Sequence, residues 1–254
     1  MNLYPRQRKA LMSLTMAGLG LLSACIAAPE PREPLPTDRE PATRESDRLL
    51  VFLPGRGDRL HDFRRQGFFE AAGARGFDLI ATDLHIGYYM QEINHRRLQE
   101  DVIAPAREEG YEEIWVVGIS MGGLGAIMHA REYPGEVEGI ILLAPYPGDA
   151  ALVSEIRSAG ALTDWDGDSS TGEDYQRQAW RWLRDQARGD HPEAVYLAYG
   201  ESDRFVEGHR LLAEALPEGH SLSQRGGHRW SVWKGLWESL LEAGIPTTEA
   251  TGDD

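Results

Sequence analysis

A β-branched run ends in Gly118-Ile119-Ser120-Met121-Gly122 and gives way at once to a stretch of small residues, and this junction constrains the fold more than any other part of the chain. Trp115-Val116-Val117 reads as a buried strand. Gly123-Leu124-Gly125 opens a helix whose buried face carries Leu124, Ile127 and Met128. No linker separates the two elements, so the backbone turns at Ser120. So sharp a turn needs glycine two residues before and two after, where a side chain would keep strand and helix apart.

The rest of the chain repeats this strand-then-helix rhythm. Short apolar runs at Leu49–Leu53, Phe77–Ala81, Ile114–Val117, Gly139–Ala144 and Val195–Tyr199, with a weaker one at Ser221–Ser223, alternate with amphipathic segments. That alternation predicts an α/β fold, a mostly parallel central sheet with helices on both faces. The last helix is the clearest: Trp233, Leu236, Trp237, Leu240 and Leu241 follow the spacing of one buried face. Pro105 predicts a kink or a restart between residues 92 and 109. Residues 149–192 are too many for a simple connection and predict a small cap insertion; Trp165, Trp180 and Trp182 within it either line a pocket or pack the cap onto the sheet.

The N-terminus reads differently. Arg6, Arg8 and Lys9 precede an apolar run over residues 10–22 that is too short to span a bilayer, the layout of an export signal. Leu22-Ser23-Ala24-Cys25 resembles the bacterial lipobox, which implies a signal peptide over 1–24 and lipidation of Cys25. The expected location is therefore the periplasmic side of a bacterial cell membrane, the outer membrane if the source is Gram-negative. Five prolines among polar residues make 25–47 an expected disordered tether, followed by a globular domain over 48–244 and an acidic tail over 245–254. The net charge of −15 excludes nucleic acid as a partner, since phosphate binding needs clustered cations.

Two further loops complete the chemistry. After the strand at Val195–Tyr199 comes Gly200-Glu201-Ser202-Asp203, and after the weak last strand comes Gly226-Gly227-His228. Together with Gly118-x-Ser120-x-Gly122, these resemble the α/β-hydrolase superfamily over nearly all of 48–244. The family's chain order of nucleophile, acid and histidine implies that Ser120 attacks, His228 moves the proton and Asp203 orients the imidazole. It also implies an oxyanion hole made by the backbone N–H of Met121 and a second N–H from Leu53-Pro54-Gly55-Arg56-Gly57. Arg56 is the favoured second donor, and Gly57 stays open because Pro54-Gly55 replaces the usual His-Gly.

Glu201 rivals Asp203, and His209 and His220 rival His228, but only His228 lies in a glycine-rich loop after the last strand. His61 and His85 follow predicted strands without the spacing of a metal site, so neither metal nor cofactor is expected. Arg56-Gly57-Asp58 matches an adhesion tripeptide by coincidence. The expected reaction is ester hydrolysis of a small molecule through an acyl-enzyme. Its alternatives are an amidase or peptidase of the same fold and a catalytically silent envelope lipoprotein.

Overall fold

The computed structural model describes residues 28–42, 44–167 and 174–246. Among them lie strands β1 (Thr37–Glu40), β2 (Arg48–Leu53), β3 (Asp78–Thr82), β4 (Glu113–Ile119), β5 (Gly139–Leu143), β6 (Ala194–Gly200) and β7 (Ser221–Gln224). They form one sheet in the order β1-β3-β2-β4-β5-β6-β7, parallel throughout except for β1, which runs antiparallel to β3. The helices are α1 (Leu60–Arg65), α2 (Phe68–Gly73), α3 (Ile86–Met90), α4 (Asn94–Leu98), α5 (Ala104–Glu109), α6 (Met121–Glu132), α7 (Ala150–Ser158), α8 (Tyr175–Ala187), α9 (Val206–Ala213) and α10 (Trp230–Glu242).

Alternation along β2 divides the core. Leu49, Val51 and Leu53 pack into a cluster with α3 to α9, whereas Leu50 and Phe52 pack on the opposite face with α1, α2 and α10. Trp233, Leu236, Trp237, Leu240 and Leu241 are all buried, as the spacing of the last helix requires. The segment around Pro105 does not restart: Leu98, Ile103 and Ala104 are all right-handed helical, and α4 runs through a π-helical turn at Gln99–Ile103, directly before the proline, into α5.

Two other expectations need correction. Much of the expected disordered tether over 25–47 is ordered: β1 pairs with β3 from Thr37↔Thr82 to Glu40↔Leu79, Leu35 is buried, and its N–H donates to Asp101 Oδ2 (2.8 Å). Further upstream the Arg32 N–H donates to the Tyr88 hydroxyl (2.9 Å). The prolines at 34 and 36 only flank the strand, so the unit begins well before residue 48. It also includes Ile245, which is buried and donates to the Leu240 carbonyl (2.9 Å). The insertion at 149–192, in turn, joins the helical layer. Helix α8 packs on α6, and Trp165, Trp180 and Trp182 are buried in the same cluster as the sheet face. The signal segment, Cys25, the stretch 168–173 and the tail beyond 246 lie outside the described residues.

Candidate active site

Ser120 stands between the end of β4 and the first residue of α6, with φ 52° and ψ −112°, a backbone conformation that costs a non-glycine residue about 1–3 kcal/mol. Its neighbours impose it. A Cβ at Gly118 would overlap the Gly122 carbonyl, and one at Gly122 would overlap the Leu53 carbonyl. The turn is pinned by Ser120 N–H donating to Leu143 O (3.0 Å) and Tyr146 N–H donating to Ser120 O (2.9 Å). The serine side chain thus sits at the carboxyl end of the central strand, beside the positive end of the α6 dipole.

The acid and histidine loops are stitched to each other by backbone. Glu201 N–H donates to Gln224 O and Ser202 N–H to Gly226 O, both at 2.8 Å. This brings together three side chains that are 25 and 108 residues apart in the chain. Ser120 Oγ lies 2.9 Å from His228 Nε2, and His228 Nδ1 lies 2.8 Å from Asp203 Oδ2. Asp203 is 3% exposed, and its second oxygen accepts the Phe205 N–H (2.9 Å). Burial alone would raise the Asp203 pKa, but the hydrogen bonds from His228 and Phe205 outweigh it, so the net direction is down and the carboxylate stays ionised. Phe205 and Trp233 meet the imidazole edge to face, at 5.2 and 4.9 Å between centroids, and fix its plane.

The loop after β2 lies against the nucleophile. A Cβ at Gly55 would be 3.5 Å from the Ser120 Cβ, and the turn closes with Asp58 N–H donating to Gly55 O (3.1 Å). Gly57 takes the left-handed φ of 88° that the turn requires. Gly55 is thus the part of this loop that lies against Ser120, and Met121, as the first residue of α6, presents one of the N–H groups a helix start leaves unbonded.

The rival residues fall elsewhere. His209 is buried with Nε2 on the Pro145 carbonyl (2.8 Å), and burial lowers its pKa. His220 bonds the Val195 carbonyl through Nδ1 (3.0 Å) and stacks on Tyr196. Glu201 is exposed, as is His61. His85 caps α3, accepting the Gly87 N–H through Nδ1 (3.2 Å). No group of three or more metal-ligating side chains occurs among the described residues.

Two features have no signature in the sequence. Trp230 Nε1–H donates to Asp58 Oδ1 (3.0 Å), joining the histidine loop to the loop after β2 across 172 residues. Arg59, next in chain, forks onto Asp83 at 2.7 and 2.6 Å and secures the other end of that loop. Long-range pairs of this kind leave no local spacing to read.

Residues 44–165 match a family profile described as "Serine aminopeptidase, S33". The chain is 30% identical over 135 residues to an acetyl esterase of Caldicellulosiruptor saccharolyticus, a match covering 48% of this chain and 50% of that protein. It therefore spans about half the length of that curated relative. Among solved structures, the S-formylglutathione hydrolase of Staphylococcus aureus superposes with a TM-score of 0.54 at 14% identity, over 81% of this chain and 82% of the other. Est1E of Butyrivibrio proteoclasticus, in a complex with ferulic acid, superposes with a TM-score of 0.55 at 16% identity, over 84% and 96%. The superpositions show that the chain shares its fold with these hydrolases, and the two sequence matches each cover about half of it.

Proposed function

We propose that the protein is a serine hydrolase that cleaves carboxylic esters through an acyl-enzyme, with Ser120, His228 and Asp203 as its triad. The observation that carries this reading is the unbroken relay from Ser120 Oγ through His228 to Asp203, at 2.9 and 2.8 Å. Ser120 Oγ attacks the ester carbonyl carbon while His228 Nε2 takes the hydroxyl proton, and Asp203 stabilises the imidazolium that forms. The oxyanion is held by the Met121 N–H and by an N–H of the Gly55–Asp58 turn, with Arg56 the favoured donor. The C–O bond to the alcohol then breaks, and the alcohol leaves with the proton from His228. Water, deprotonated by His228, attacks the acyl-enzyme and releases the acid and Ser120.

A fluorophosphonate probe tests the relay: wild type takes it up, and Ser120→Ala and His228→Ala do not. A folded wild type that stays unlabelled removes the reading. The matched profile favours a second reading, cleavage of an amino-terminal peptide bond by the same residues. Aminoacyl p-nitroanilides turned over faster than p-nitrophenyl esters of matched acyl size would put it first.

We also propose that export and lipidation at Cys25 hold the domain at a membrane. Among the described residues no helix is long and apolar enough to cross one. Fractionation tests this, because Cys25→Ala should move the protein from the membrane to the soluble fraction.

A further inference from the structure

Asp58 is the one carboxylate of the loop after β2 that the mechanism leaves without a task. It is half-buried, and its Oδ2 and the nucleophile border the same space beside Gly55: a Cβ on that glycine would be 2.7 Å from Asp58 Oδ2 and 3.5 Å from the Ser120 Cβ. Its Oδ1 accepts Trp230 Nε1–H, which ties it to the histidine loop two residues beyond His228. Among the described residues Oδ2 has no hydrogen-bond or ion-pair partner. The neighbouring charges are spoken for. Asp62 is taken by the Arg59 N–H and by Arg65, and Asp83 by the Arg59 guanidinium. Arg56 and Arg229 are exposed, and neither pairs with Asp58. Burial is the largest influence on the Asp58 carboxyl and lifts its pKa, with the Trp230 hydrogen bond pulling it down and Asp62 pushing it further up.

Its position fixes which half of an ester it meets. His228 hands its proton to the departing alcohol, so the alcohol half lies on the histidine side of Ser120, and Trp230, two residues beyond His228, is the residue that holds Asp58. We infer that Asp58 is a specificity residue for the leaving alcohol, favouring esters whose alcohol half carries an ammonium group and rejecting those whose alcohol half is anionic. A single partly desolvated carboxylate is enough for this, because the electrostatic contrast between a cation and its neutral isostere a few ångströms away amounts to about tenfold or more in such a setting. This rests on the ester-hydrolase reading above and names the substrate class of that same site.

The test compares 2-(trimethylammonio)ethyl butyrate with its neutral carbon isostere, 3,3-dimethylbutyl butyrate, which share acyl group and shape. The readout is the ratio of kcat/KM for the two. Asp58→Asn keeps an acceptor for Trp230 and removes only the charge, so the ratio should fall about tenfold. Trp230→Phe loses the hydrogen bond but keeps the carboxylate, so both rates should change together and the ratio hold within about twofold. A ratio unmoved in Asp58→Asn, or one that falls equally in Trp230→Phe, overturns the inference. The same ratio read as binding to the Ser120→Ala chain tests Asp58 even where chemistry fails, whereas failure of wild type to take up fluorophosphonate marks a failure of the hydrolase reading instead.

Discussion

His129 sits on α6, the helix that starts at the nucleophile, and is completely buried. Its Nε2–H donates to Gln99 Oε1 (2.8 Å), while its Nδ1 faces no partner among the described residues. A proton added at Nδ1 would be a buried cation without an acceptor, and burial accordingly lowers the pKa from 6.5 to about 3, with His95 adding to the effect. The sign follows from linkage. The unfolded chain takes up this proton as pH falls through 6.5 while the folded chain refuses it until about 3, so stability is full above 6.5 and declines between the two values. Each pH unit in that window is worth about 1.4 kcal/mol, so lowering the pH to about 4.5 should cost about 2.7 kcal/mol through this residue alone. Urea unfolding of wild type and His129→Gln at about pH 8 and pH 4.5 isolates it, because the other buried histidines contribute equally to both chains. If both proteins lose the same stability, within about 0.5 kcal/mol, the reasoning is wrong.

The elbow makes a second prediction. A methyl at Gly122 meets the Leu53 carbonyl and, at 2.8 Å, the Pro54 carbonyl, neither of which moves without the strand. Gly122→Ala should cost about 3 kcal/mol or more and lower Tm by roughly 6–12 °C, while Gly76→Ala, which meets nothing and pays only for its φ of 81°, should cost about 1 kcal/mol. Differential scanning calorimetry separates the two. Asp203→Asn removes the charge that holds the His228 tautomer, and stopped assays should show kcat down by about 10³–10⁴ with KM little changed. Because the Asp203 pKa is depressed, its contribution to stability is present above its ordinary value of 3.8 and lost only as pH falls below that, so it should leave the neutral-pH stability profile flat. Leu35→Ala tests whether the upstream strap belongs to the core: a loss of about 2–4 kcal/mol in urea unfolding is expected, and no loss would return the segment to a passive linker.

Strands β2 to β6 were legible because each is a short apolar run between breakers, while β7, Ser-Leu-Ser-Gln, gave only a weak signal; all six were expected within two residues of where they lie. Strand β1 was not, for its sequence Thr-Asp-Arg-Glu has no apolar alternation at all. Its order comes from the β3 ladder and from Leu35, which makes it a tertiary product that no local pattern encodes. The same division runs through the site. Ser120, Asp203 and His228 each follow a strand end, so the topology that brings them together could be expected from the order of elements. Asp58, Trp230 and the Arg59–Asp83 fork depend on which loops touch across the carboxyl edge of the sheet, and nothing in their own neighbourhoods announces it. The tryptophans of the insertion were legible as apolar bulk but not as core or wall, a choice set by how α8 lands on α6.

The register of β1 has a directional consequence. Thr37 stands opposite Thr82, the last residue of β3, so the chain reaches the sheet at the carboxyl end, where Ser120 lies, and runs away from it. Upstream it is pinned again, with Arg32 on Tyr88 and Pro29 against Gly87. From Cys25 to Pro29 there are four residues, a leash of at most about 14 Å. Whatever grips the chain at Cys25 therefore grips the domain by its catalytic rim. If that grip is the proposed lipid, the domain would hang mouth-first over the membrane and meet first the molecules that lie in it.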